Sequence, residues 1–202
     1  MSWVRATPRR KAKTESRPIP ILESIPYPSS AILRRLFRLP ILLWRLGMGP
    51  IIGRLFMILT TTGHKTGLPR RTAIEYHQFK GSKYVMGAWP RSDWYRNIQA
   101  DARVTTQTAS GTEGGIARRL TTEDEWAEAY EFVERHPYMR LWANLLGFRM
   151  SRDEFIAKRD HIYLLTFDPT NQPTPAALQA DLRWFWLVLA VVLLLVCLVV
   201  RG

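Results

Sequence analysis

The sequence has little cysteine and, over a long stretch, no acid. Cys197 is the single cysteine among 202 residues, so no disulfide can form within the chain. No Asp or Glu occurs between Ser24 and Ile74, where eight Lys and Arg side chains stand, and the formal net charge at pH 7 is +12. The cysteine usage fits a reducing compartment. The one-sided charge indicates an anionic partner, such as a phospholipid surface, a nucleic acid or a polyanionic small molecule.

Motifs for metal binding and for nucleophilic catalysis are also missing. The four histidines, His64, His77, His136 and His161, are scattered and form no metal-ligand spacing, so we expect no metal site. The chain has no G-x-S-x-G motif, no pair of catalytic carboxylates and no Cys/His arrangement. A protein without strong nucleophiles or bases suits hydride transfer, in which a cofactor supplies the reactivity.

The N-terminal part of the chain is basic. Residues 1–28 contain five prolines among basic residues and no apolar core of the length that a secretory signal needs, which predicts an arm without packed structure. The run A-I-L-R-R-L-F-R-L then places its apolar side chains on one helical face and Arg34, Arg35 and Arg38 mainly on the other. Two interpretations of this amphipathic helix stay open and are compatible: it lies on a membrane interface, or it packs across one end of the domain.

Short apolar runs after Gly53 predict about six strands. They are residues 55–61, 71–79, 83–88, 103–108, 115–120 and 161–167. Helices are predicted for residues 93–99, for the stretch that begins at Thr121 and ends at His136, and for residues 138–148. Six strands with interspersed helices fit a small antiparallel β-barrel that helices cover.

One long uncharged run stands near the C-terminus. Residues 184–200 are apolar and lie between Arg183 and Arg201. As a helix they extend for about 25 Å, near the lower limit for crossing a bilayer. Trp184 and Trp186 suit an interfacial aromatic belt, and the run has no polar face that a helix of a soluble protein would show. We therefore expect a single-pass C-terminal membrane anchor, with the preceding domain on the cytoplasmic side because basic residues dominate it.

These patterns divide the chain into four parts. They are a basic arm (1–28), a domain with its amphipathic helix (29–167), a proline-rich linker with little to bury (168–181) and a transmembrane tail (182–202).

The most informative stretch covers residues 59–97. It begins L-T-T-T-G-H-K-T-G-L-P-R-R-T, continues through two apolar runs, and ends W-P-R-S-D-W-Y-R-N. A turn rich in Gly, Thr and Lys between two strands offers backbone N–H groups and fixed positive charge to an anion. The aromatic and polar residues 89–97 follow one hairpin later, close enough to form the far wall of the same groove.

This stretch resembles the deazaflavin-dependent nitroreductase family, also described as quinone reductases that use reduced coenzyme F-420. Members show an L-T-T-x-G-R-K-S-G-x-P-R-x-T turn, followed by a W-Y-x-N run. Here His64 stands where the family has Arg, and Thr66 where it has Ser. The resemblance covers about residues 30–166. It implies a split β-barrel similar to those that bind flavins, an oxidoreductase activity, and reduced coenzyme F-420 as cofactor, with FMN as the alternative.

The resemblance also implies where the cofactor binds. In the family, the residues that match Lys65 and Arg70 contact the phosphate and the acidic tail of the coenzyme, and Thr66 belongs to the same turn. The alternative for these residues is ordinary solvated charge. Arg71 should point to the opposite face of its strand. The end of the third predicted strand approaches the ring and phosphate in relatives, which adds Gly87, Ala88 and Trp89 to the expected contacts. Many relatives have a longer A-S-x-G-G-x-x-x-x-P loop here, whereas this chain has the shorter G-A-W-P-R-S-D-W, so Arg91 and Ser92 are expected to replace the phosphate contacts of that loop.

Trp94, Tyr95 and Asn97 match the W-Y-x-N run. In relatives the Trp lines the substrate side of the ring, while the alternative for Trp94 is an anchor in the core. Tyr95 is expected to protonate or polarise the acceptor. In relatives the matching Asn can hold the local turn by hydrogen bonds; the alternative for Asn97, which we favour, is a helix-stabilising side chain.

Three functions follow from these observations. The first is a membrane-anchored oxidoreductase that passes hydride from reduced coenzyme F-420 to a lipophilic acceptor, such as a quinone or nitro compound. The second is a split-barrel protein at the membrane that binds or sequesters FMN, haem or deazaflavin without turnover. A nucleic-acid binder rests on charge alone, so we expect membrane lipid and a small molecule as partners, and no nucleic acid.

Overall fold

An antiparallel sheet of seven strands forms the centre of the protein. The computed structural model describes residues 35–86, 92–135, 151–157, 159 and 163–201. The strands are β1 (Phe56–Thr62), β2 (Pro69–Glu75), β3 (His77–Phe79), β4 (Ser82–Met86), β5 (Arg103–Thr108), β6 (Gly111–Arg119) and β7 (Leu164–Pro169). Their order is β2-β1-β5-β6-β7-β4-β3. The predicted antiparallel β architecture with helices is confirmed.

The strand count differs from the prediction of about six. The single strand predicted for residues 71–79 is divided at Tyr76, so β2 and β3 stand at opposite ends of the strand order. The Tyr76 hydroxyl donates a hydrogen bond to the Gly53 carbonyl oxygen at 2.8 Å. No Gly or Pro occurs within residues 71–79, so the sequence carries no local signal for this division.

The described parts of the chain also contain six α-helices and one π-helical turn. The turn (Trp44–Met48) connects α1 (Leu39–Leu43) to α2 (Gly49–Ile52). The others are α3 (Asp93–Ala100), α4 (Glu123–Arg135), α5 (Arg152–Ala157) and α6 (Trp184–Arg201). Helices α3 and α4 confirm two predictions, whereas the helix predicted for residues 138–148 lies outside the described residues.

Both faces of the sheet bury apolar side chains. The first cluster comprises Met57, Leu59, Val85, Ile98, Val104 and Ala117. The second comprises Tyr84, Leu120, Trp126, Ala129, Phe155 and Leu164. The third comprises Trp44, Ile58 and Leu178. Consecutive strand residues such as Ile58 and Leu59, or Tyr84 and Val85, enter different clusters because side chains alternate along a strand.

The proline-rich segment before the tail packs on the sheet, unlike the expected linker with little to bury. We call residues 170–180 the strap. The backbone N–H of Leu178 donates to Gln107 Oε1 at 2.7 Å, and its carbonyl accepts from Gln107 Nε2 at 3.1 Å. Thr105 Oγ1 donates to the Pro175 carbonyl. Prolines cannot join a sheet ladder, and side chains of β5 supply several of the hydrogen bonds that hold the strap.

Helix α6 begins at a fixed position on the domain. Arg45 donates to the Asp181 carboxylate through Nε and Nη2, each at 2.8 Å. The indole N–H of Trp186 donates to the Leu46 carbonyl at 2.7 Å. We call this set of contacts the latch. Within the described residues, α6 is the one helix long and apolar enough to cross a membrane.

A capping box at the start of α4 predicts that stability depends on pH. The Glu125 N–H donates to Thr122 Oγ1, and the Glu125 carboxylate accepts from the Thr122 N–H. Arg118 Nη2 donates to the same carboxylate at 2.6 Å and lowers the pKa of Glu125 from 4.5 to about 2. Since the folded-state pKa lies below the unfolded-state value, this stabilisation is complete above about pH 4.5 and is lost as the pH falls towards 2.

We therefore expect Glu125→Gln to lower the thermal unfolding temperature near neutral pH and to have a smaller effect in acid. Circular dichroism of the full chain in detergent, scanned at several pH values, measures the difference between variant and wild type. A difference that stays constant across the acid range would contradict this assignment.

Candidate functional site

The predicted anion-binding turn connects β1 to β2 and is closed by its own backbone. The Gly63 carbonyl accepts the N–H groups of Thr66 and Gly67, at 3.0 and 2.8 Å, and the Gly63 N–H donates to the Leu68 carbonyl at 2.9 Å. Gly67 has a φ of +66°, a conformation that glycine adopts without steric cost. The Lys65 side chain stands on this closed turn and is exposed.

Most backbone donors of the turn are engaged, which corrects the expectation that they would cradle an anion. The N–H groups of residues 66 and 67 are used within the turn. The backbone nitrogen of Leu68 lies 3.4 Å from Thr66 Oγ1, and the backbone N–H of His64 donates to Asn97 Oδ1 at 3.0 Å. An anion at this turn would therefore be bound mainly by side chains.

The two arginines at the start of β2 have different neighbours, as strand alternation predicts. Arg70 Nη2 lies 3.4 Å from Thr66 Oγ1, so this guanidinium remains beside the turn. Arg71 Nη2 donates to the Ala176 carbonyl of the strap at 3.3 Å. The structure thus brings Lys65, Thr66 and Arg70 together on one exposed connection.

The side chain of Asn97 connects helix α3 to the turn. The prediction that this side chain stabilises the helix is therefore wrong. The residue is 3% exposed. Its Oδ1 accepts from the His64 N–H and lies 2.7 Å from His64 Nδ1, while its Nδ2 donates to Thr61 Oγ1 at 2.9 Å. Because Oδ1 can only accept, the His64 ring carries its proton on Nδ1. We call the contacts of Asn97 with Thr61 and His64 the clamp.

We expect Asn97→Ala to weaken both the fold and the binding of an anion at the turn. The substitution removes the acceptor of the His64 N–H and the amide donor to the buried Thr61 hydroxyl, which keeps only its bond to the Arg70 carbonyl. Loss of a buried hydrogen-bond partner costs about 1–3 kcal/mol. Urea denaturation should show a loss of that size in the free energy of unfolding. The exposed Gln99 of the same helix provides the control, because Gln99→Ala should change neither property. Wild-type stability in the Asn97 variant would contradict the clamp.

Ser92 is the N-cap residue of α3 and has an unusual hydroxyl. It is 4% exposed, and its Oγ has no hydrogen-bond partner in the part of the chain that the structure describes. Buried polar atoms rarely lack a partner, so this hydroxyl is available to a bound ligand. The other contacts expected around it fall outside the described residues; they are Gly87, Ala88, Trp89 and Arg91.

The two predicted catalytic aromatics lie in the first turn of α3. Trp94 is half-buried and packs against the first cluster, as the alternative of a core anchor predicts. Its ring meets that of Tyr95 edge-on, with centroids 5.9 Å apart. Tyr95 is 7% exposed. Burial raises the pKa of its hydroxyl, although the positive charge of Arg119 works in the opposite direction, so the phenol stays protonated at neutral pH.

Two further residues beside Tyr95 were missed by the sequence analysis. The Tyr163 ring meets Tyr95 edge-on at 5.6 Å, and the Arg119 guanidinium carbon lies 5.0 Å from the centroid of the Tyr163 ring. Arg119 follows the buried Ala117 by two positions on β6, which directs both to the same face. A charged residue at a core-facing strand position is the signal that identifies Arg119 as a functional candidate.

The arrangement brings two exposed cations and a buried phenol onto neighbouring elements. The clamp joins the two halves of the sequence motif, since Asn97 in the middle of α3 contacts the turn, while Ser92 and Tyr95 lie at the N-terminal end of the same helix. Two exposed cations with nearby hydroxyls suit a phosphate group, and a neutral phenol can donate a hydrogen bond to a developing negative charge. The described residues contain no group of three or more His, Cys, Asp or Glu side chains that could hold a metal ion.

A cavity of about 470 Å³ lies away from these residues. Its lining includes Lys83, which pairs with Glu113 at 2.7 Å, and Arg118, which pairs with Glu125 and Asp168. None of the predicted site residues that the structure describes lines it. Because its charges are largely paired with each other, we assign it no role in the chemistry.

Comparisons with known proteins bear on this site. Residues 45–140 match the family model described as F420H(2)-dependent quinone reductase, a range that includes the turn and α3. The resemblance inferred from residues 59–97 is thereby confirmed, and the match supports F420-dependent oxidoreduction. No curated protein matches the sequence.

Solved structures with similarity to the chain include two with stated activities or ligands. One is an F420-H2 dependent reductase (FDR-A) that is 21% identical in sequence. The alignment covers 56% of this chain and 93% of the reductase chain, and the TM-score is 0.38. Another is a heme binding protein from Mycobacterium smegmatis that is 12% identical in sequence. The alignment covers 62% of this chain and 51% of the heme binding protein, and the TM-score is 0.40.

Proposed function

We propose, on the premise that residues 45–140 match the F420H(2)-dependent quinone reductases, that the protein is a membrane-anchored oxidoreductase. It takes hydride from reduced coenzyme F-420 and passes it to a lipophilic acceptor, such as a quinone or a nitro compound. The observation that carries the proposal is the clamp. Through it, Asn97 holds the cationic turn against the helix that bears Ser92 and Tyr95.

The side chains at the turn and at the start of α3 can donate hydrogen bonds to an anionic coenzyme. Lys65 and Arg70 are exposed cations beside the Thr66 hydroxyl, and Ser92 has a buried hydroxyl without a described partner. A phosphate accepts charge-assisted hydrogen bonds from such groups. When bound, the deazaflavin supplies the hydride chemistry, and these residues hold and orient it.

Tyr95 is the proton donor in this proposal. Reduction of a quinone to a hydroquinone by one hydride also requires one proton, and the negative charge that the hydride brings develops on a quinone oxygen. The raised pKa of Tyr95 keeps its O–H in place at neutral pH, so the phenol can donate to that oxygen. The exposed part of Trp94 provides an apolar surface beside it, and the Arg119 charge lies close to the tyrosine pair.

The sheet geometry supports a split barrel as the scaffold. Strands β2 and β4 are not hydrogen-bonded neighbours in the strand order, yet their Cα atoms approach within 8 Å. The sheet is therefore curled around the first cluster, against which Trp94 packs.

The tail supports a membrane location. Helix α6 contains no buried residue, and its apolar side chains are exposed along its length. Apart from the latch contact of Trp186 in its first turn, no side chain of this helix is buried against the protein, and a helix of this composition is stable in hydrocarbon rather than in water. We propose that it spans the bilayer and keeps the domain on the cytoplasmic side, near membrane-dissolved quinones.

A cofactor titration tests the function. We expect the full-length protein in detergent to bind coenzyme F-420 at micromolar concentration and not to bind FMN, as followed by the fluorescence of each cofactor. Reduced F-420 should then be oxidised when a quinone is added. Binding of FMN alone would refute the proposed cofactor. F-420 binding without oxidation by quinone or nitro acceptors would favour a non-catalytic binding protein.

A further inference from the structure

The helical segment 35–55 exposes many large apolar side chains. Six of them are between 43% and 65% exposed, namely Leu36, Phe37, Leu39, Leu42, Ile51 and Leu55. Isolated exposed apolar residues are common on soluble proteins, but such a concentration within 20 residues indicates an interaction surface.

The exposed residues are distinct from those that attach the segment to the domain. Ile41 packs against the third cluster, of which Trp44 is a member, beside Ile58 and Leu178. The neighbouring Leu39 and Leu42 are exposed instead. One side of the segment is therefore already packed on the sheet, while apolar side chains remain uncovered on another.

The positive charge of the segment indicates an anionic partner. Arg35, Arg38 and Arg54 are exposed, and the stretch from Ser24 to Ile74 contains no acid. Apolar side chains flanked by arginines suit a bilayer surface with anionic lipids, where the apolar groups enter the interface and the guanidinium groups meet phosphates.

The latch fixes where this surface lies relative to the tail. Helix α6 begins beside the π-helical turn in the middle of the segment, with Arg45 paired to Asp181 and the Trp186 indole bonded to the Leu46 carbonyl. If α6 spans a bilayer, its first turn lies at the interface, and the segment lies at the same level.

We propose that segment 35–55 docks on the anionic bilayer surface into which α6 inserts, and that the latch holds it in that position. The domain then has a fixed orientation on the membrane. This inference rests on the membrane tail of the proposed function and is independent of its hydride chemistry.

Site-specific fluorescence quenching tests the docking. In full-length protein with Cys197→Ser, a single cysteine introduced by Leu42→Cys carries an environment-sensitive fluorophore. The protein is reconstituted into vesicles of phosphatidylcholine and phosphatidylglycerol that contain lipids brominated near the headgroup or deep in the acyl chains. Leu193→Cys in α6 reports insertion of the tail, and Gln78→Cys on exposed β3 serves as the aqueous control.

We expect shallow bromines to quench the Leu42 probe, deep bromines to quench the Leu193 probe, and neither to quench the Gln78 probe. Quenching at Leu193 with none at Leu42 would overturn the docking and leave the anchor intact. Absence of quenching at both would overturn the anchor as well, whatever the result of the cofactor titration. Replacing phosphatidylglycerol by phosphatidylcholine should reduce quenching at Leu42 and not at Leu193.

Charge reversal tests the latch separately. Asp181→Arg should reduce quenching of the Leu42 probe towards the value at Gln78, because two like charges then face each other. Adding Arg45→Asp restores an opposite pair and should restore the quenching. Equal quenching in all three proteins would overturn the role of the latch.

Discussion

Replacing Lys65 or Arg70 by alanine is expected to weaken binding of coenzyme F-420 by about 1.5–3 kcal/mol each, the range for a hydrogen bond to a charged group. This corresponds to a rise in Kd of roughly 10- to 150-fold. The effect should be large because most backbone donors of the turn are already engaged, so few other groups can replace the lost cation. Higher salt should also weaken binding to the wild-type protein, since both cations are exposed.

Arg71→Ala is the matched control for this prediction. It removes the same charge from the adjacent position, but Arg71 contacts the strap rather than the turn. Fluorescence titration gives the Kd values, and thermal unfolding of each variant checks that the domain stays folded. Wild-type affinity in both the Lys65 and Arg70 variants, or an equal loss with Arg71→Ala, would show that the anion site is elsewhere.

Removing α6 is expected to change the location of the protein completely. The full-length chain should sediment with membranes and resist extraction by high salt, because an inserted apolar helix does not depend on charge. A chain that ends at Arg183 should bind membranes only through its basic arm and segment 35–55, and high salt should release it. Full-length protein that remains soluble without detergent would refute the anchor.

The structure decides where this truncation has to be made. A chain that ends at Asp168 also lacks the strap, which exposes the third cluster and leaves the Gln107 amide without both of its bonds to Leu178. Loss of one buried Leu side chain alone costs about 1.5–3 kcal/mol. We expect this shorter chain to aggregate or unfold, so only the chain ending at Arg183 separates the role of the anchor from that of the strap.

The turn between β1 and β2 depends partly on local sequence and partly on distant residues. The spacing of Gly, Thr and Lys correctly indicates the turn and its cations, because these residue types are required locally. The spacing does not show that the backbone N–H groups are engaged, since one of them is bonded by Asn97, 33 residues further along the chain. The role of Asn97 was misassigned for the same reason.

The sequence by itself determined the features that depend on neighbouring residues. These are the alternation that produces most strands, the capping of α4, the uncharged run of α6 and the family motif of the turn. Tertiary structure alone decided the division of residues 71–79 into β2 and β3, the packing of the strap, the latch and the tyrosine pair. In the strap, the bond between Gln107 and Leu178 joins residues 71 positions apart. Such contacts form only when the folded sheet brings both partners together, and no local pattern encodes that distance.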